Sequence, residues 1–222
     1  MLSRSIICWL FMVLFFAPSM LFAEKVYESK RSDAAQIDAM IRGYGYDCQD
    51  APGMSLLVIK DGGVLFKKAY GLADVEKKVS NTTRTNFRLA SVTKQFTAMA
   101  ILILMERGKL RLESQLTDFF QDFPAYGREI TVRHLLNHTS GLPDAFALMP
   151  ADQKEQLKDR DVLRILGQQK KGEFSPGSKY QYSNSGYVIL GLIVEKVSGD
   201  SFAQFLKKNI FEPLGMLDTA VN

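Results

Sequence analysis

A chain of 222 residues is long enough for one domain with a sizeable core. Its composition, 46% hydrophobic and 23% charged, excludes a disordered or fibrous chain, and no internal repeat or low-complexity stretch is visible. The net charge of +4 is made of scattered positive residues without a basic stripe or tail, which argues against nucleic acid as the partner.

At the N-terminus, Arg4 precedes an apolar run from Ile6 to Ala17, followed by Pro18, Ser19 and Leu21-Phe22-Ala23. This is the layout of a secretory leader, and the run is short for a membrane span, which needs roughly 20 apolar residues. The expectation is a signal peptide over 1–23, cut after Ala23, and an exported domain over 24–222, periplasmic or extracellular. Contact with a membrane would then come only through an uncleaved leader. Cys8 lies in the leader, so Cys48 is left without an internal disulfide partner and reads as a small buried apolar residue.

The first predicted element is a helix over Ala34–Gly43, with Ile37, Met40 and Ile41 on one face. Pro52-Gly53 breaks the pattern. Strands are predicted over Ser55–Ile59 and Val64–Tyr70, joined by Asp61-Gly62-Gly63 as a three-residue hairpin loop. Polar turns follow through Asn81. From Ser91 to Arg107 the pattern is helical and apolar nearly all round, which predicts a helix buried in the middle of the domain, with Gly108 at its C-terminal cap. Beyond it the chain reads as helices and loops. Thr131 caps Val132–Asn137, His138-Thr139-Ser140-Gly141-Leu142-Pro143 is a stop, and Asp161–Gln168 and Ser185–Val197 are helical. Ser201 caps a last amphipathic helix that reaches Ile210 and ends before Pro213. The fold class is α+β: an antiparallel sheet of which only the N-terminal hairpin is evident, and a large helical region.

Two short patterns carry chemistry. In Ser91-Val92-Thr93-Lys94, serine and lysine stand three apart, on one side of a helix and within reach of each other. A serine hydroxyl needs a base to become a nucleophile, and a neutral lysine can be that base. The free N–H groups and positive dipole of a first helical turn favour a developing alkoxide. A Ser three residues before a Lys also arises by chance about once in a chain of this size at ordinary residue abundances. Its position at the mouth of an apolar helix, after a short strand, distinguishes this pair. In Tyr182-Ser183-Asn184, a phenol near an ammonium can relay protons, and the amide can hold a substrate carbonyl or orient the lysine. Taken alone, the triplet also reads as a helix start in which Ser183 or Asn184 caps and Tyr182 packs. His134 and His138 have the spacing of a zinc-protease pair, but Leu135 stands where the general-base glutamate would be, so no metal or other cofactor is expected. His138 is read instead as bracing its loop by hydrogen bonds.

Together the two patterns resemble the serine β-lactamase and penicillin-binding protein superfamily, in particular its class C-like branch with the D-alanyl-D-alanine carboxypeptidases and related esterases. The likeness extends over Phe87-Arg88-Leu89-Ala90-Ser91-Val92-Thr93-Lys94-Gln95-Phe96-Thr97-Ala98 and Leu135-Leu136-Asn137-His138-Thr139-Ser140-Gly141-Leu142-Pro143. It continues in Phe174-Ser175-Pro176-Gly177, Tyr182-Ser183-Asn184-Ser185-Gly186-Tyr187 and Phe211-Glu212-Pro213-Leu214-Gly215-Met216, so that it runs from about Ala34 to the last residue. The resemblance implies a β-lactamase/transpeptidase-like fold and a serine hydrolase working through an acyl-enzyme on a β-lactam, a D-Ala-D-Ala peptide or a small ester. It implies Ser91 as nucleophile, Lys94 as base or proton relay, Tyr182 as the tyrosine that helps activate the serine and then water, and Asn184 as a substrate-binding amide. The Ser91 N–H would be half of the oxyanion hole, and the loop from Asp144 to Arg160 would border the site. The family's third motif, Lys-Thr-Gly or His-x-Gly, sits on a later strand, and no such triplet follows Asn184. The expectation is a domain truncated at the C-terminus, with its C-terminal strands missing. The alternative function is a non-catalytic penicillin- or peptidoglycan-binding remnant.

Overall fold

The computed structural model describes residues 31–47, 50–149 and 157–221. The leader, Cys48 and the middle of the 144–160 loop lie outside them. The chain divides after Phe87 into two units.

The first unit opens with a helix, α1, over 31–43, of which Ile41 is buried while Met40 is exposed. Strands β1 (Met54–Lys60) and β2 (Gly63–Tyr70) pair antiparallel, with a bulge between Val58 and Ile59. Lys60 pairs with Gly63, so the loop has two residues, not three. Asp61 and Gly62 both take positive φ, 52° and 73°, the backbone of the tight turn whose twist matches that of a hairpin. Exposure alternates along β1, as period-two pleating requires, and leaves Leu57 and Ile59 facing outward. The segment read as polar turns contains a second small ribbon, β3 (Leu72–Asp74) against β4 (Val79–Ser80). It is too short for an alternation signal. Asp38 fastens α1 to β2: its Oδ1 accepts from Lys68 Nζ and from the Tyr70 hydroxyl, each at 2.6 Å.

The second unit is helical. It contains α2 (Lys94–Glu106), α3 (Leu116–Phe119), α4 (Val132–Leu136), α5 (Asp159–Gly167), α6 (Asn184–Ser198) and α7 (Phe202–Leu206). The last runs into a wider turn over Lys207–Phe211. Thr131 and Ser201 cap as their sequences suggested, each side-chain oxygen accepting from the N–H three residues on, in His134 and Gln204. The core gathers α2, α6 and α7 with shorter elements around them, and Ile101, Leu116, Leu135, Ile189, Leu190, Ile193 and Phe205 are at most 1% exposed.

Two further expectations are corrected. The helix predicted from Ser91 begins with a tighter 3₁₀ turn over Ala90–Thr93, and the α-helix starts only at Lys94. Nor is α2 buried all round: Thr97, Ala100, Ile101 and Leu104 form its buried side, whereas Met99 and Leu102 are exposed. Apolar composition on every face raised the expectation, but packing partners in this unit cover one side. No described helix is long and apolar enough to cross a membrane.

Candidate active site

Ser91 sits in the 3₁₀ turn and is exposed. The residue before it, Ala90, has φ of +45°, a left-handed backbone that a residue with a Cβ adopts at a cost. This bend brings the serine out at the start of α2, where first-turn N–H groups lack helical partners. No glycine marks the position, so the sequence carries no sign of the bend.

Lys94 is the first residue of α2, one turn beyond Ser91. Tyr182 and Asn184 arrive from the start of α6. Ser183 caps that helix, its hydroxyl accepting from the Gly186 N–H at 2.9 Å. The capping reading of the triplet and the chemical one therefore hold together. Ser183 bonds to its own helix, while its neighbours Tyr182 and Asn184 bond to Ser91 and Lys94.

The structure brings all four predicted site residues together. The Tyr182 hydroxyl donates to Ser91 Oγ at 2.8 Å. Lys94 Nζ donates to Asn184 Oδ1 at 2.8 Å and lies over the Tyr182 ring, 4.7 Å from its centroid, and over the Tyr187 ring at 5.4 Å. Among the described residues the partner of Ser91 is thus Tyr182, and Lys94 reaches the serine only by way of the phenol. Lys94 first, as a hydrogen-bond donor, then the bond to Ser91, and only last the lysine's charge, pull the Tyr182 phenol below its usual range. A cation beside the ring stabilises phenolate, so Tyr182 gives up and takes back a proton more readily than an ordinary tyrosine.

The loop after α4 supports this arrangement. The carbonyls of His138, Thr139 and Gly141 accept from the N–H groups of Gln181, Gly177 and Glu173, each at 2.8 Å. Gly141 has φ of +69°, and a Cβ there would stand 2.1 Å from the Phe174 carbonyl oxygen, so only glycine permits the two segments to meet. His134 and His138 have different partners. His134 Nδ1 accepts from the Thr131 N–H within α4's cap, and His138, beyond the end of α4, accepts from the Ser183 N–H. The described start of the 144–160 loop is tied to the site by the Ala145 N–H, which donates to the buried Ser185 hydroxyl at 2.9 Å.

Comparison with known proteins places this geometry in context. Residues 37–222 match the family described as Beta-lactamase. The chain is 39% identical over 170 residues to penicillin-binding protein 4* of Bacillus subtilis (strain 168), covering 75% of this chain and 37% of that protein. Among solved structures, an octameric penicillin-binding protein homologue from Pyrococcus abyssi superposes with a TM-score of 0.70 at 35% identity, over 83% of this chain and 43% of that one. EstCE1, described as a hydrolase with promiscuous acyltransferase activity, superposes with a TM-score of 0.71 at 28% identity, over 84% of this chain and 52% of the other. The chain thus spans about half, or less, of the length of these relatives.

Proposed function

The chain belongs to the beta-lactamase family, and we propose that it is an exported serine hydrolase in which Ser91 Oγ attacks an acyl carbon and is transiently acylated. The observation that carries this reading is the 2.8 Å bond between Tyr182 and Ser91 with the Lys94 ammonium over the same phenol ring. Tyr182, as phenolate, takes the proton from Ser91 as the Oγ–carbon bond forms and the carbonyl electron pair moves onto oxygen. The Ser91 N–H, in the first turn of the 3₁₀ helix, stabilises that oxyanion. The protonated Tyr182 then gives its proton to the leaving nitrogen or oxygen as its bond to carbon breaks. In the second half, water loses a proton to Tyr182 and attacks the acyl carbon, and Ser91 leaves with that proton. Lys94 stabilises each phenolate stage by its charge, and Asn184 Oδ1 fixes the lysine while leaving the amide nitrogen to meet substrate.

This order differs from the one the Ser-x-x-Lys spacing suggests, in which lysine is the direct base. Lys94 Nζ bonds instead to Asn184 Oδ1, and the hydrogen-bond partner of Ser91 Oγ is Tyr182. The substrate classes are those that acylate such a serine: a β-lactam, a D-Ala-D-Ala peptide or a small ester. Similarity to a penicillin-binding protein supports the first, and similarity to EstCE1, a hydrolase, is compatible with the others.

The test is turnover of a chromogenic cephalosporin and of a short-chain nitrophenyl ester, with Ser91→Ala beside the parent protein. The expected result is hydrolysis of at least one by the parent and none by Ser91→Ala. Stable labelling by a fluorescent penicillin without turnover would instead identify a binding protein. A parent protein indistinguishable from Ser91→Ala in every assay would overturn the reading.

A further inference from the structure

His138 stands 44 positions before Tyr182 in sequence yet surrounds it in space. Its carbonyl accepts from the Gln181 N–H at 2.8 Å, and its Nδ1 accepts from the Ser183 N–H at 3.0 Å. One residue thus binds the backbone on both sides of Tyr182. Its ring also lies against the Tyr182 ring, with centroids 4.5 Å apart and planes tilted by 30°, and against Tyr187 at 5.0 Å and 31°. Tyr180 approaches edge-on at 6.0 Å. The backbone of His138 is left-handed, φ +58°, which a non-glycine residue maintains only where its surroundings compel it.

We propose that His138, neutral and with Nδ1 unprotonated, is the positioning residue that holds the Tyr182 phenol on Ser91 and beside Lys94. The inference rests on the reading of Tyr182 as the proton carrier.

Protonation defeats this role. Once Nδ1 carries a proton it is a donor facing another donor, the Ser183 N–H, and the new positive charge faces Lys94. The groups around the imidazole favour the neutral form. Burial and then the Lys94 charge hold it below the ordinary histidine range. From α6, Tyr187 remains a neutral phenol, pushed up by burial and occupied in donating to the Leu136 carbonyl. Tyr180 and Tyr182 come from the segment before α6. The sign follows. A base with a depressed folded pKa contributes stability that is full above its unfolded value, about 6.5, and is lost as pH falls through the lower folded value.

Two substitutions separate the ring from the acceptor. In His138→Asn, Oδ1 occupies the position of Nδ1, the residue tolerates a left-handed backbone, and nothing titrates. His138→Phe keeps a ring and removes the acceptor. The chain has two histidines, so ¹⁵N-imidazole spectra assign directly by comparison with His138→Asn. The expected spectrum shows His138 protonated at Nε2 only, titrating below about 6.5. A proton on Nδ1 at neutral pH would overturn the proposal. Labelling tyrosine at Cζ follows the Tyr182 phenol, with Tyr182→Phe for assignment. In His138→Phe its ionisation should move up towards the ordinary value of about 10, while His138→Asn should retain most of the depression. Identical Tyr182 titration in the parent and in His138→Phe would overturn the proposal, and this holds whether or not the protein hydrolyses anything. Acylation of Ser91 by a fluorescent penicillin supplies the functional arm: roughly tenfold slower in His138→Phe, with His138→Asn within a few-fold of the parent. Should His138→Phe not fold, the pH profile of His138→Asn decides. The parent rate should steepen at acid pH as His138 gains its proton, and His138→Asn should lack that steepening. Equal slopes would contradict the proposal. A parent protein that labels with nothing refutes the hydrolase reading alone, since the imidazole and phenol titrations still test the clamp.

Discussion

Two Lys–Tyr pairs in this molecule use the same residue types and behave in opposite ways. In the first unit, Lys68 and Tyr70 converge on Asp38. In the second, Lys94 bonds to Asn184 while Tyr182 bonds to Ser91. The distances are similar, and a lysine lies over a tyrosine ring in both, at 5.2 Å and 4.7 Å. Burial and then the Asp38 carboxylate push the Tyr70 phenol up to about 12, whereas hydrogen bonding by Lys94 and then by Ser91 draws Tyr182 down, with the lysine's charge adding to it. The first pair answers an anion and ends as structure. In the second, no carboxylate among the described residues pairs with the lysine, which bonds to the Asn184 amide and lies over the phenol ring. A short hydrogen bond therefore does not mark a reactive centre; the sign of the charge left over beside a titratable group does.

The comparison breaks most sharply at the two phenols. Tyr182→Phe should slow acylation of Ser91 by about 10²–10⁴-fold without altering the thermal midpoint, because the side chain is exposed and only its proton chemistry is lost. Tyr70→Phe should leave acylation unchanged. Stopped-flow labelling with a fluorescent penicillin reads both.

Next come the cores behind the pairs. Ile193 is fully buried in the second unit, and Ile193→Ala should cost about 2–5 kcal/mol in urea denaturation. Leu57, 53% exposed on the hairpin, should change stability by less than about 0.5 kcal/mol on replacement by alanine. Direct ultraviolet titration in variants keeping one phenol or the other should then show Tyr182 ionising below about 10 and Tyr70 near 12.

The smallest effect belongs to Asp38. Its carboxyl is held well below the usual carboxylate range by Lys68 first, then Tyr70 and Arg42. A depressed acid contributes stability that is present above its unfolded value, about 3.9, and is lost as pH falls through the folded one. The bonds are at most part-buried and remain partly solvated, so the gain is slight. Hydrogen exchange of the hairpin amides should quicken below that range in the parent protein, and Asp38→Asn should show the faster exchange already at neutral pH.

Much of this was legible beforehand where local rules decide. Thr131 and Ser201 announce their helices because a cap needs only a hydroxyl and the next three residues. Asp61-Gly62-Gly63 announces a hairpin because its residues tolerate positive φ, although the loop proves one residue shorter than the three read from sequence. Ser91, Lys94, Tyr182 and Asn184 stood out through the Ser-x-x-Lys and Tyr-x-Asn spacings and the family-like segments around them, and the structure places them within bonding distance of one another. The remainder depends on contacts between distant segments. Nothing in Ala90 signals a left-handed bend, and nothing in Met99 or Leu102 says that their side of α2 lacks a packing partner in this unit. His138 read as a loop brace. That it grips both flanks of Tyr182 depends on the pairing of 138–141 with 173–183, which periodicity does not report.

Mapping the acylated residue tests the central claim most directly. After reaction with a penicillin or an activated ester, digestion and mass spectrometry should find the added acyl mass on the peptide carrying Ser91, absent in Ser91→Ala and strongly reduced in Tyr182→Phe. An adduct on another residue, or one that persists unchanged in Ser91→Ala, would contradict the account.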